Sequence, residues 1–393
     1  MFSKKPFIIS LIGFCLFNII LYIFISLNYN RLPFQREPYL YQSHHYIQDD
    51  RVYGGPFNLI TALGNYDAQW YLRIANAGYP DKQEMRTHTN PYEMEGLTYA
   101  FFPFYPLLVH ILNIPFNQIE VTAFIFANLL LIANFTSIYY VISKLYSEKI
   151  AIKTNFLLFL YPFSIFYRSY FTEGTFLFLF IWFCYFLLRK RWLLVSIILS
   201  LLYITRPNAI ALYAFFIPYL IWSVWKKKLV LTEAAAMLII TAIPLAYWIY
   251  FNYKHAGDAL MWHDVEAVWY KATYPFQPIV DNVKTLISWP HLAFHGYHES
   301  KVDTGVFIVS AMLTILSKKY FKPEIWFITL ILVFSPLLVK DFMSYSRYQM
   351  VIFPLFVYLA KKTNKYTYAA LISIFTIGLF ITSLYFVNWY WIG

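Results

Sequence analysis

Cysteine is close to absent. Cys15 and Cys184 are the only two in 393 residues, and both lie inside apolar runs. Neither a disulfide framework nor a thiolate metal centre can be built from them, and they report no compartment. Charge is scarce too: 13% of residues are Asp, Glu, Lys or Arg, against about 25% in a soluble domain. Acidic residues are the rarer sign, 20 against 31 basic ones, for a formal net charge of +11. There is no phosphate loop, no Rossmann glycine run and no nucleophile elbow. These absences exclude a soluble nucleotide-binding domain, so an activated substrate is expected to arrive by way of the lipid. Internal repeats and low-complexity tracts are also missing.

Apolar and aromatic residues are plentiful. The chain is 60% hydrophobic and 22% aromatic, with a mean hydropathy of +0.52. This is the composition of an all-α polytopic membrane protein. The positive charge then has a topological cause rather than a nucleic-acid partner. The first apolar run, 6–27, follows Lys4 and Lys5, is too long for a signal-peptide core, and precedes no small-residue cleavage site. It reads as an uncleaved span leading outward. Later runs lie near 119–142, 151–168, 172–188, 192–208, 209–225, 229–251, 304–317, 324–340, 349–360 and 366–388. Basic clusters punctuate them at Lys144/Lys149/Lys153, Arg189–Arg191, Lys226–Lys228, Lys318/Lys319/Lys322 and Lys361/Lys362/Lys365. Alternate crossings put all of these on the cytoplasmic side, provided that 101–116, with Pro103, Pro106 and Pro115, is re-entrant or interfacial. The expectation is one membrane-embedded domain over 1–393 with about 11 spans, several of them short. It has a first outer loop at 28–118 and a second at 252–303. The second loop mixes Trp262, Trp269, Tyr270 and Trp289 with charges and is expected to form juxtamembrane helices.

The outer face collects the ionisable residues of interest: Asp67, Glu173, Arg206, Asp264, Glu266 and Arg347. Charge at span ends is costly and marks function by default. The stretch 65–106 organises the rest. Asn65 suits a helix N-cap, and Gly78 with Pro80 suits a stop, which predicts a helix over 66–77. Tyr66, Trp70, Ile74 and Ala77 fall on one face, and Asp67 sits in the first turn at the polar edge with Tyr71 below it. His291, His295 and His298 beside Glu299 have a helical spacing that metals use, but the set is incomplete for tetrahedral zinc, and no metal is expected.

Five motifs then occur in order. Asp67-Ala68-Gln69-Trp70-Tyr71, with Ile74-Ala75 and Gly78-Tyr79, resembles the D-A-x-W-Y-x-x-I-A-x-x-G-Y signature of the PIG-V-type mannosyltransferases. These are GT-C membrane glycosyltransferases related to GPI mannosyltransferase II. The segment 100–106 resembles the family's A-F-F-P-x-Y-P element. Phe171-Thr172-Glu173 with Phe176 resembles Y-S/T-E-x-x-F, and Thr205-Arg206-Pro207-Asn208 resembles T-R-P/S-x-G. Arg347-Tyr348 with Pro354 resembles the late R-Y…P element. The chain departs from the pattern at Tyr66, where Trp is usual, at Phe171 for Tyr and at Ala209 for Gly.

The resemblance implies a GT-C-like helix bundle and an inverting transfer of a sugar, mannose first, from a polyprenyl phosphate to a lipid-linked or other extracytoplasmic acceptor. It implies no cofactor, and it gives membrane lipids rather than nucleic acid as surroundings. The membrane would be the cytoplasmic one in a bacterium or that of the endoplasmic reticulum in a eukaryote. Asp67 is the implied general base, since the base must reach the acceptor hydroxyl opposite the leaving phosphate. Arg206 and Arg347 are candidates for the leaving phosphate because a guanidinium grips phosphate with a fork of donors. Glu173, Trp70, Tyr71 and Tyr105 are the further substrate-binding candidates. Plainer roles stand beside these. Asp67 complements a helix dipole, Glu173 and Arg206 pair with each other, and Arg347 snorkels. Two other functional classes also fit a polytopic chain: a lipid or sugar transporter, which wants charge at the midplane and matching halves, and a non-catalytic scaffold of envelope glycan assembly.

Overall fold

The computed structural model describes residues 4–42, 46–86, 95–266, 300–338 and 343–392, with the single positions 280 and 287. Helices and short 3-10 turns are the only regular elements among the described residues. In chain order the helices that matter here are α1 (Lys4–Asn28), α2 (Asp67–Ala77), α3 (Phe104–Asn113), α4 (Ile119–Leu145) and α5 (Glu148–Phe159). They continue with α6 (Glu173–Leu188), α7 (Trp192–Thr205), α8 (Ile210–Trp225), α9 (Leu231–His255) and α10 (Met261–Glu266). The last five are α11 (Lys301–Ser317), α12 (Pro323–Phe334), α13 (Tyr345–Gln349), α14 (Phe353–Lys362) and α15 (Lys365–Val387).

Every apolar run of the sequence carries a helix, but the helices differ in reach. Among the described residues, five are long and apolar enough to cross a membrane: Lys5–Arg31, Ile119–Leu145, Pro207–Trp225, Leu231–His255 and Lys365–Val387. A helix needs about 20 residues to span the hydrocarbon, and α5, α6, α7, α11, α12 and α14 have 10 to 17. Of the about 11 spans expected, several of them short, five among the described residues reach full length and the others are short helices. Proline sets several of the short ends: α5 stops just before Pro162, and α7 stops one residue short of Pro207. The helix α3 has 10 residues, about 15 Å at 1.5 Å per residue, too short to cross.

The core sits among α4, α6, α7 and α9, with α5 packed against α4 and α14 against α5. The outward faces are apolar. On α1 these are Ile9, Leu16, Ile20 and Leu27, and on α9 they are Ile239, Ile243 and Tyr247. Exposed aliphatic rows of this extent are surfaces that lipid covers.

The two ends of the chain are stitched together, and this positions α2. Asn388 donates to Tyr29 O at 2.8 Å, and Arg51, paired with Asp49, donates to Asn388 Oδ1 at 3.0 Å and to Val387 O at 2.7 Å. Asn65 Nδ2 donates to Phe386 O at 2.9 Å. Asn65 thus does not cap the helix as its sequence position suggested; Tyr66 holds the N-cap position without a side-chain cap bond. Its buried amide is better satisfied by the free carbonyls at the end of α15.

Candidate functional site

The helix α2 is short, and residues Ala68–Ala75 are all buried beneath α3, α4 and the 3-10 turn Glu95–Ala100. It is largely a core element, and the side opposite Trp70 and Ile74, expected to be polar, is covered by protein at Gln69, Leu72 and Arg73 as well. Its two ends break this burial: the Asp67 side chain keeps 25% of its surface exposed, and Asn76 and Ala77 are exposed at the far end. Gly78 ends the helix with φ 78° and ψ −167°, a conformation open to glycine.

The backbone entering α2 is strained. Tyr66 has φ 56° and ψ −124°, and Ala68 N donates to Asn65 O at 3.3 Å. This is the first central position of a type II′ turn, which glycine normally fills. A side chain there costs on the order of 1–3 kcal/mol and persists only when its surroundings hold it. Here the ring of Tyr66 packs against Trp389 at 4.7 Å and Trp391 at 4.9 Å between centroids. The C-terminal segment therefore fixes the turn that aims Asp67.

Four charged residues from four separate segments meet at this point. Arg347 Nη1 donates to Asp67 Oδ2 at 2.8 Å, and Arg347 Nε lies 3.0 Å from Glu173 Oε1. Arg206 Nη1 donates to the same Glu173 oxygen. Two guanidinium groups and two carboxylates thus form a neutral chain, Asp67–Arg347–Glu173–Arg206. Glu173 is fully buried, and Arg206 and Arg347 are 7% and 5% exposed. Burial decides that Arg347 is no snorkelling anchor, and the pairing of Glu173 with Arg206 is realised.

Local chemistry explains each arm. Glu173 opens α6, where the helix dipole favours a carboxylate. Gly174 beside it lets α4 approach, since Asn134 donates to its carbonyl at 2.9 Å and a Cβ there would come within 3.1 Å of Leu130. Arg206 precedes Pro207, which forces it out of the helical region to φ −153° and ψ 136°. Its side chain so leaves the α7 stripe, and it stacks 4.7 Å over Tyr348. Arg347 sits on α13, whose N-cap Ser344 is left-handed at φ 62°. That turn is pinned by Asp303, whose Oδ1 accepts from Ser346 N at 2.6 Å. The Arg347 guanidinium is caged by Phe166, Phe171, Tyr348 and Trp391 at 5.1–5.7 Å.

The aromatic candidates lie beside the network and pack on one another. Trp70 stacks on Phe101 at 5.7 Å, while Tyr71 meets Phe101 at 5.2 Å and Tyr105 at 5.5 Å edge-on. Burial raises the phenol pKa of Tyr71 and of Tyr105, so both stay protonated. The Tyr105 hydroxyl is buried with no hydrogen-bond partner among the described residues. A cavity of about 40 Å³ adjoins Arg206, lined by Asn208, Tyr348 and Gln349 among others, enough for water.

Asp264 and Glu266 lie on α10. Glu266 is pushed up to about 7, mainly by burial, with His263 opposing. His291, His295, His298 and Glu299, like Trp269, Tyr270 and Trp289, lie outside the described residues. Sequence reasoning missed Asp303, Trp389 and Trp391. Asp303 carries no motif, and the two tryptophans look like an interfacial belt; only their tertiary contacts reveal them. No family model matches the chain, and no curated protein matches it.

Proposed function

We propose that the protein is a membrane glycosyltransferase of GT-C type, similar to the PIG-V mannosyltransferases, that inverts the anomeric centre of a polyprenyl-phosphate sugar. The observation that carries this reading is the convergence of Asp67, Glu173, Arg206 and Arg347. They come from four of the five motifs and stand up to 280 residues apart in sequence.

The arrangement is consistent with a role for each group. Arg347 holds Asp67 Oδ2, which leaves an exposed carboxylate edge for the acceptor hydroxyl. Asp67 takes the hydroxyl proton as the acceptor oxygen bonds to the anomeric carbon. The bond from that carbon to the phosphate oxygen breaks, and the polyprenyl phosphate leaves with the electron pair and one more negative charge. Arg206 and Arg347 supply preorganised positive charge next to that leaving group. Glu173 keeps the two guanidinium groups together in the absence of phosphate. The donor is mannose-linked in the first instance, the acceptor is lipid-linked or otherwise extracytoplasmic, and the site faces away from the cytoplasm.

The test is Asp67→Asn in purified protein given polyprenyl-phosphate mannose, then other polyprenyl-phosphate sugars, with a membrane lipid extract as acceptor. Loss of the base costs about 10²–10⁴-fold in rate; because Asn also removes a counter-charge from Arg347, thermal melting is read alongside so that transfer is scored on folded protein. Full transfer by the Asn variant removes Asp67 as the base. No transfer by the parent with any donor and a verified acceptor extract shifts weight to the transporter and scaffold classes.

A further inference from the structure

A second site lies at the other end of the bundle. Cys184 and Leu188 line a cavity of about 280 Å³, and they stand 11 and 15 residues along α6 from Glu173. At 1.5 Å per residue this is about 17–23 Å from the charge network. The walls are aliphatic: Val141 and Leu145 from α4, Ile325 from α12 and Val357 from α14. The mouth is cationic. Lys319 and Lys322 border it together with Tyr146 and Tyr320. Lys361 Nζ lies 4.2 Å from the Tyr146 ring centroid, and Lys362 donates to the Tyr320 hydroxyl. The Tyr320 phenol is held below its usual range by the Lys362 hydrogen bond and by the charges of Lys362, Lys319 and Lys361. The carboxylates of the adjoining first turns are Glu148 and Glu324. Four lysines against two carboxylates leave the mouth positive.

An apolar cleft under a lysine rim is complementary to one amphiphile with an apolar chain and an anionic head. Beside it, α4 and α7 expose Ile132, Tyr140, Leu193 and Leu194, so acyl chains are the medium next to the opening. A soluble anion satisfies the lysines but leaves the cleft empty, and a neutral lipid fills the cleft but not the rim. We propose that this cavity binds an anionic phospholipid, with part of one acyl chain in the cleft and the phosphate on Lys319 and Lys322. The site is separate from the glycosyl-transfer reading and stands without it.

The full-length protein in non-ionic detergent is titrated with dioleoyl phosphatidylglycerol, dioleoyl phosphatidylcholine or inorganic phosphate, and retained lipid is counted by native mass spectrometry. Basic residues near an anionic headgroup contribute about 1 kcal/mol each, so two lysines give phosphatidylglycerol roughly a 30-fold preference. Lys319→Gln with Lys322→Gln removes that preference and leaves phosphatidylcholine retention unchanged. Both lysines are exposed, so folding tolerates the change. Leu188→Trp, which fills the cleft from its partly exposed end, lowers retention of both lipids. Equal retention of the two lipids by the parent overturns the proposal, as does a preference that survives the double substitution. Phosphatidylglycerol binding unaffected by Leu188→Trp, or inorganic phosphate displacing the lipid completely at millimolar concentration, does the same.

Discussion

Replacing Glu173 by Gln tests the charge network directly. The side chain is fully buried, and one oxygen serves both Arg206 and Arg347. Gln keeps the shape but removes the charge. Two guanidinium groups then face each other across an amide, with Asp67, 25% exposed, as the remaining counter-charge. Breaking a buried pair by removing one partner costs about 3–5 kcal/mol, because the other charge stays buried. Unfolding entropy of about 2.1 cal/mol/K per residue gives roughly 0.8 kcal/mol/K for this chain, so the midpoint should fall by about 4–6 °C. Arg206→Gln added to Glu173→Gln restores neutrality and should recover at least half of the loss, on the order of 2 kcal/mol of coupling. Thermal unfolding in detergent, followed by tryptophan fluorescence, reads both variants. A Glu173→Gln midpoint within about 1 °C of the parent refutes the reasoning. A double variant no more stable than the single one refutes it too.

Three further outcomes follow from the same geometry. Asp303→Ala frees the Ser346 N–H and loosens α13, so transfer should slow by about 10-fold or more through Arg347, while Asp303→Asn, which keeps an acceptor oxygen, restores most of it; equal rates for Ala and Asn remove Asp303 as a positioning residue. Glu266 has its pKa raised to about 7 in the folded protein from an ordinary 4.5. The folded state therefore holds the proton more tightly, and this contribution to stability is full below about pH 4.5 and is lost as pH rises toward and through 7. Glu266→Gln should flatten that part of the profile, with a relative gain of about 1–3 kcal/mol at pH 8 over pH 4.5; melting curves across that range check it, and an unchanged slope refutes it. Single cysteines at Asp81 and Asp258, both exposed, should label from outside intact cells, and one at Lys227 should not, if the basic clusters mark the cytoplasmic side.

Much of this protein was legible in its sequence because helix formation and apolar patterning are local. The run boundaries gave helices where expected, and 66–77 became Asp67–Ala77 because Gly78 stops the helix by its own backbone freedom. Arg206 leaves its helix because of Pro207, also a nearest-neighbour effect. Sequence order also put Asp67, Glu173, Arg206 and Arg347 forward as candidates, since charge in an apolar chain is conspicuous. Pairing is not local. That Arg347 bridges two carboxylates, and that Trp389 and Trp391 hold a strained Tyr66, depends on segments more than 300 residues apart in the second case. How the short helices are accommodated is not local either. Composition measures how apolar a run is, but only packing shows that a short helix is buried against protein and has no need to span the lipid. The α2 helix is the sharpest instance: its residues read as one wet and one dry face, and between Ala68 and Ala75 the bundle covers both, because Arg73 and Gln69 find their partners in the carbonyls of Gly78 and Gly64 instead of in water.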